Sequence, residues 1–198
     1  MAVNRTVLIG SLAFAVVVSL VGGYALSRSD DGDATSVNDD ITVSSNGVFV
    51  EPGIAVNKPV QGKALPIVQL VATDGSPVST SELLGQPLVI NVWATSCEAC
   101  KKEMPALAQM HAEFGDQVRF VGINQFANND IALAFAKDKG VRYELLSDLN
   151  GEFVTALGIT GLPYTLFVAP DGTIVSQKGI ALDADALRST ITEKLLTP

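Results

Sequence analysis

The stretch "PLVINVWATSCEACKKEMP", residues 87–105, limits most sharply what this chain can fold into. Residues 87–94 form a continuous apolar, β-branched run without polar alternation, the pattern of a strand buried on both faces. A helical pattern follows at once, from about Cys97 to Phe114, with Gly115 as the expected stop. Both cysteines of the chain, Cys97 and Cys100, fall at this handover. A sulfur at a helix start meets unpaired N–H groups and the positive end of the helix dipole, which favour thiolate over thiol. Cys97 therefore suits a nucleophile, and Cys100, one turn on, suits a resolving thiol. A purely structural staple gains little from so short a loop. A zinc site needs four ligands, and the sole histidine, His111, late in the same helix, cannot complete one.

The rest of residues 60–198 alternates strand-like and helix-like segments. Residues 67–73 read as a strand turning at Asp74-Gly75, 79–85 as a short helical turn, 118–124 as a buried strand and 130–140 as an amphipathic helix. Residues 143–148 read as a short strand and 151–159 as a helix. Two strands flank Asp171-Gly172 as a hairpin, and residues 183–196 close the domain as a helix. This order implies an α/β fold with a mixed central sheet and helices on both faces.

Ahead of the domain stand three pieces: a stub at 1–6, an uncharged apolar run at 7–26 and an acidic polar segment at 27–59. The run has 20 residues, which at about 1.5 Å rise per residue matches the roughly 30 Å core of a bilayer. It reads as a transmembrane anchor, with a cleavable signal ending near Ala25-Leu26-Ser27 as the alternative. No cysteine follows it, which excludes a lipoprotein anchor. Arg5 before the run and "DDGD" after it keep the N-terminus cytoplasmic and export the domain. Residues 27–59 read as a tether, with a hairpin turn expected at Asn46-Gly47. A net charge of -8 argues against nucleic acid and against an anionic lipid surface as partners.

"WATSCEACKKEMP" resembles the active-site segment of the membrane-anchored thioredoxin-like proteins of the TlpA, ResA and CcmG group, and "GLPYTLFVAPDGTIV" resembles their cis-proline loop and hairpin. The likeness covers about the last 140 residues. It implies the thioredoxin-like fold with an extra helix-strand piece before the hairpin, and thiol–disulfide chemistry without a cofactor or metal. It implies Cys97 as nucleophile, Cys100 as resolving cysteine and Pro163 as the proline that follows a cis bond. Leu162 backbone is then free to pair with an extended substrate, with Trp93 and Ser96 completing the substrate surface. Pro105 matches a proline inside the helix. Glu103 matches a glutamate thought to tune proton transfer at the pair.

Two positions depart from the wider pattern. Asn91 stands where cytosolic thioredoxins carry a buried aspartate, and Ser96 where the group usually has tryptophan. The expectation is an extracytoplasmic reductant of partner disulfides, apocytochrome c or a copper-site assembly protein, re-reduced by a membrane protein of the CcdA or DsbD kind. An oxidant that inserts disulfides into secreted proteins is the alternative. A thiol peroxidase would need Pro and Thr where Ile90 and Ala94 stand. A Cu(I)-binding module would use both thiols as ligands.

Overall fold

The computed structural model describes residues 57–197. The apolar run 7–26, the segment 27–56 and its expected hairpin lie outside them. Among the described residues no helix is long and apolar enough to cross a membrane.

The described elements run β1 (Gln69–Ala72), β2 (Pro77–Ser79), a 3-10 turn (Thr80–Leu83), β3 (Leu88–Trp93), α1 (Glu98–Phe114), β4 (Arg119–Asn124), α2 (Asp130–Asp138), β5 (Glu144–Ser147), α3 (Glu152–Leu157), β6 (Tyr164–Val168), β7 (Ile174–Lys178) and α4 (Ala184–Ile191), which continues as a π-helical turn, Thr192–Leu196. Seven strands form one sheet in the order β2-β1-β5-β4-β3-β6-β7. β3, β4 and β5 are parallel, while β1, β6 and β7 join antiparallel. The α2–β5 unit is the extra helix-strand piece anticipated before the hairpin. β2 was not anticipated: its three residues leave too short a pattern to read.

Strand alternation sorts side chains onto two cores. Leu88, Ile90 and Val92 of β3 join Val121, Ile123, Tyr164, Leu166 and Phe153 of α3 on one face. Val89 and Trp93 join Met104 and Leu107 of α1, Ala132 and Ala136 of α2, and Leu187 and Ile191 of α4 on the other. Helices thus cover both faces. Asn91 shares the pleat of Val89 and Trp93, so it points under α1.

The hairpin stands where expected, and the ends of several other elements differ in detail. Gly115 adopts ordinary right-handed backbone (φ -58, ψ -22) and closes the last turn through its N–H to His111 O. The final helix tightens to Ala184–Ile191 before its pitch widens. The hairpin turns at Asp171-Gly172, where Gly172 has φ 90 and the Asp171 carboxylate accepts from Thr173 N–H. Asn57 and Lys58, read as tether, belong to the domain: the Asn57 side chain hydrogen-bonds Thr160 and Gly161, and Lys58 O accepts from Gln177 Nε2. Residues 62–65 run on along β7, with Ala64 bridged to Thr173 and Gly62 N–H donating to Ile174 O.

Candidate active site

β3 delivers the chain to the end of the sheet, and α1 departs from there. Cys97 is the N-cap of α1, in extended backbone, and its Sγ accepts the Cys100 N–H at 3.1 Å. Charge developing on that sulfur therefore meets a backbone donor at once. The two cysteines are joined in a disulfide. Their surroundings differ: Cys97 is half-buried, whereas Cys100 is 0% exposed and packs with Trp93 and Met104. Only Cys97 can meet a bulky partner.

The Leu162-Pro163 bond is cis, and Pro163 is buried at the head of β6, beside the end of β3. The polypeptide enters this loop through a clamp at Asn57. Its Oδ1 accepts from Thr160 N–H at 2.7 Å and Gly161 N–H at 3.0 Å, and its Nδ2 donates to Gly161 O at 3.1 Å. One asparagine thereby fixes the backbone just ahead of Leu162. Leu162 itself is half-buried, and among the described residues its N–H and carbonyl have no backbone partner. Sequence reasoning missed Asn57, because its partners lie 103 and 104 residues away.

Ser96 is exposed beside Cys97. Trp93, expected on the substrate surface, is instead 0% exposed. Its ring faces the α1 side and lies 6.0 Å from Phe135 at an interplanar angle of 21°. Room for it comes from Gly122 on β4: an added Cβ there would sit 3.3 Å from Trp93 Nε1, 3.2 Å from Tyr143 and 2.7 Å from Leu145. Trp93 is a floor beneath the start of α1, so a partner would not touch it.

Glu103 lies one turn beyond Cys100 and is 0% exposed. Its Oε2 accepts from Asn91 Nδ2 at 3.1 Å; its Oε1 accepts from Thr165 Oγ1 at 3.2 Å and Leu182 N–H at 3.3 Å. Burial nonetheless pushes the acid up to about 7, outweighing the Leu182, Thr165 and Asn91 donors that hold it down. A carboxyl poised near neutrality, one turn from a cysteine pair, suits proton uptake and release. Tyr143 is pushed up by burial and, secondarily, by the Glu103 charge. α1 continues through exposed Pro105, whose missing N–H deprives the Lys101 carbonyl of its helical donor. His111 meets Phe120 and Tyr143 edge-on, both at 5.6 Å. Among the described residues no three His, Cys, Asp or Glu side chains cluster as a metal site.

Among the described residues, the large exposed apolar side chains share one place. Phe126 and Ile131 follow β4, Leu149 follows β5, Ile180 follows β7 and Ile67 precedes β1. Register puts all these strand ends at the edge where β3 delivers Cys97.

Comparison with known proteins agrees with this geometry. The AhpC/TSA family matches residues 61–177. The thiol-disulfide oxidoreductase ResA of Bacillus subtilis (strain 168) is 31% identical over 116 residues, 58% of this chain and 65% of the relative. The thiol:disulfide interchange protein DsbE of Pseudomonas fluorescens biotype C is 33% identical over 130 residues, 65% of this chain and 71% of the relative. The chain thus spans about two thirds of the curated relatives' length. The solved structure of MTB dsbF in its mixed oxidized and reduced forms is 27% identical with a TM-score of 0.58, covering 63% of this chain and 92% of that one. The chain belongs to the AhpC/TSA family, is similar to relatives named as thiol-disulfide oxidoreductase and thiol:disulfide interchange protein, and joins a thioredoxin-like fold to its own Cys97–Cys100 pair.

Proposed function

We propose that this protein is an extracytoplasmic thiol–disulfide oxidoreductase that reduces disulfides in partner proteins. The observation that carries the reading is the unequal exposure of two bonded cysteines at the start of α1, above a buried carboxyl. In the reduced pair, Cys97 thiolate attacks one sulfur of the partner's disulfide, forming a mixed disulfide and releasing a partner thiolate. Cys100, its proton passing to Glu103, then attacks Cys97 Sγ. The Cys97–Cys100 bond forms, and the second partner thiolate leaves. Two electrons pass to the partner, whose two thiolates take up one proton from Cys100 by way of Glu103 and one from solvent. The Leu162 backbone holds an extended partner strand beside the pair, and the apolar residues along that edge support a polypeptide as the substrate class.

Apocytochrome c or a copper-assembly protein as partner, a CcdA or DsbD type membrane protein as electron source, and anchorage through residues 7–26 complete the proposal. They rest on the likeness to ResA and DsbE and on the sequence of the N-terminal segment. Ile90 and Ala94, at the Pro and Thr positions of a peroxidatic motif, disfavour peroxide as substrate. The deciding experiment combines a redox titration with a trap. A reduction potential below about -250 mV and a partner held on Cys97 in a Cys100→Ser variant are expected, whereas a potential near -120 mV refutes the reductant reading.

A further inference from the structure

The register between β3 and β6 sets Asn91 directly opposite Thr165. Both side chains lie on the pleat that faces α1, and both are buried, at 2% and 0% exposure. Asn91 Nδ2 donates twice, to Thr165 Oγ1 at 3.1 Å and to Glu103 Oε2 at 3.1 Å, while Thr165 Oγ1 donates to Glu103 Oε1 at 3.2 Å. The three groups close a ring of hydrogen bonds. Its direction is uniform: every donor ends, directly or through the hydroxyl, on the carboxyl. The amide is turned wholly to that task, for Asn91 Oδ1 is buried and has no partner among the described residues. A buried acceptor left idle is a cost that a merely structural asparagine would avoid.

We propose that Asn91 and Thr165 are positioning residues of the thiol–disulfide reaction: a cross-strand pair that fixes the Glu103 carboxyl beneath the cysteines and keeps it able to exist as the anion that accepts a proton. The inference rests on the thiol–disulfide reading of the pair. It also explains why a buried acid survives without a cation. The groups that face Glu103 are Asn91 of β3, Thr165 of β6, the Leu182 N–H ahead of α4 and, through its charge, Tyr143 ahead of β5. α2 contributes Ala132 and Ala136 to this core, α4 contributes Leu187 and Ile191, and α1 itself contributes Cys100, Met104 and Leu107. Among the described residues none of the groups acting on Glu103 is a lysine, arginine or histidine. Ionisation therefore depends on neutral donors, and two of the three are these side chains. Thr165 also lies two residues past Pro163, so the strand that carries the partner loop is the one that holds the proton acceptor.

The test follows the Glu103 side-chain carboxyl by carbon-13 NMR through a pH titration of the full-length oxidised protein. Thr165→Ala and Thr165→Ser both lose the methyl and differ in the hydroxyl alone. Ala raises the midpoint by about one pH unit, a tenfold tighter proton, whereas Ser stays near wild type. Asn91→Leu raises it likewise. In the reduced protein, the pH profile of kcat/KM for a protein disulfide moves with the same midpoint, and Ser at 165 restores it. A wild-type midpoint in Thr165→Ala and Asn91→Leu, whatever their melting temperatures, overturns the positioning role. Midpoints that move as expected in a protein that reduces no disulfide at any pH keep the hydrogen-bond assignment and overturn the reaction it was assigned to.

Discussion

Replacing Glu103 by glutamine should stabilise the folded protein at alkaline pH and leave it unchanged in acid. The unfolded acid titrates at its ordinary 4.5, the folded one at about 7. Below the lower value both states are protonated, and Glu103 costs nothing. Between the two, the unfolded state ionises while the folded state holds its proton, so folding loses about 1.4 kcal/mol for each pH unit. The stability present in acid is thus lost as pH rises through about 7, and above it the accumulated loss is about 3 kcal/mol. Glutamine carries no such cost. Its Nε2 also gives Asn91 Oδ1, idle in the wild type, a donor once the Asn91 amide turns over. Urea denaturation of oxidised wild type and Glu103→Gln at pH 4 and pH 8 should show midpoints that coincide in acid. At pH 8 they should separate in favour of the variant by about 3 kcal/mol, roughly 10 °C in a thermal scan. A difference that is constant across pH, or a variant less stable at pH 8, refutes the reasoning.

Three further outcomes follow from other parts of the site. Iodoacetamide added to the reduced protein should alkylate Cys97 first, read by peptide mass, because Cys100 is fully buried. Asn57→Ala removes the clamp on Thr160 and Gly161; it should cost about 1–3 kcal/mol in stability and raise KM for a protein disulfide while sparing reduction by a small dithiol. Gly122→Ala drives a methyl group into Leu145, Tyr143 and Trp93, lowering stability by about 1–3 kcal/mol and altering tryptophan fluorescence.

How much of this was legible depended on sequence distance. The buried run of β3, the start of α1 at the cysteines and the Asp171-Gly172 hairpin are written in contiguous residues, and each stands where local pattern puts it. Pro163 could be matched by resemblance, and its preceding bond is cis. The company of Glu103 could not be read, because Thr165 and Leu182 are 62 and 79 residues away and meet it only through the sheet register. The start of the domain was misread for the same reason: Asn57 resembles tether until Thr160 is folded against it. Trp93 failed differently. An aromatic side chain beside a cysteine motif fits a docking surface and a core floor equally well, and the space left by the missing side chain of Gly122, which Trp93 helps to fill, decides between them.

The two rims of the sheet are closed by unlike means. On one side β2 is three residues long and begins with Pro77, which has no N–H to offer; on the other, residues 62–65 lie along the start of β7, where Ile174 N–H donates to Lys63 O and Ile174 O accepts from Gly62 N–H. Each rim is thereby blunted at one point against an added strand. Under the proposed function, an extended partner pairs with the open Leu162 backbone beside Cys97, while the short, proline-led β2 and the segment at the start of β7 leave the two rims less inviting.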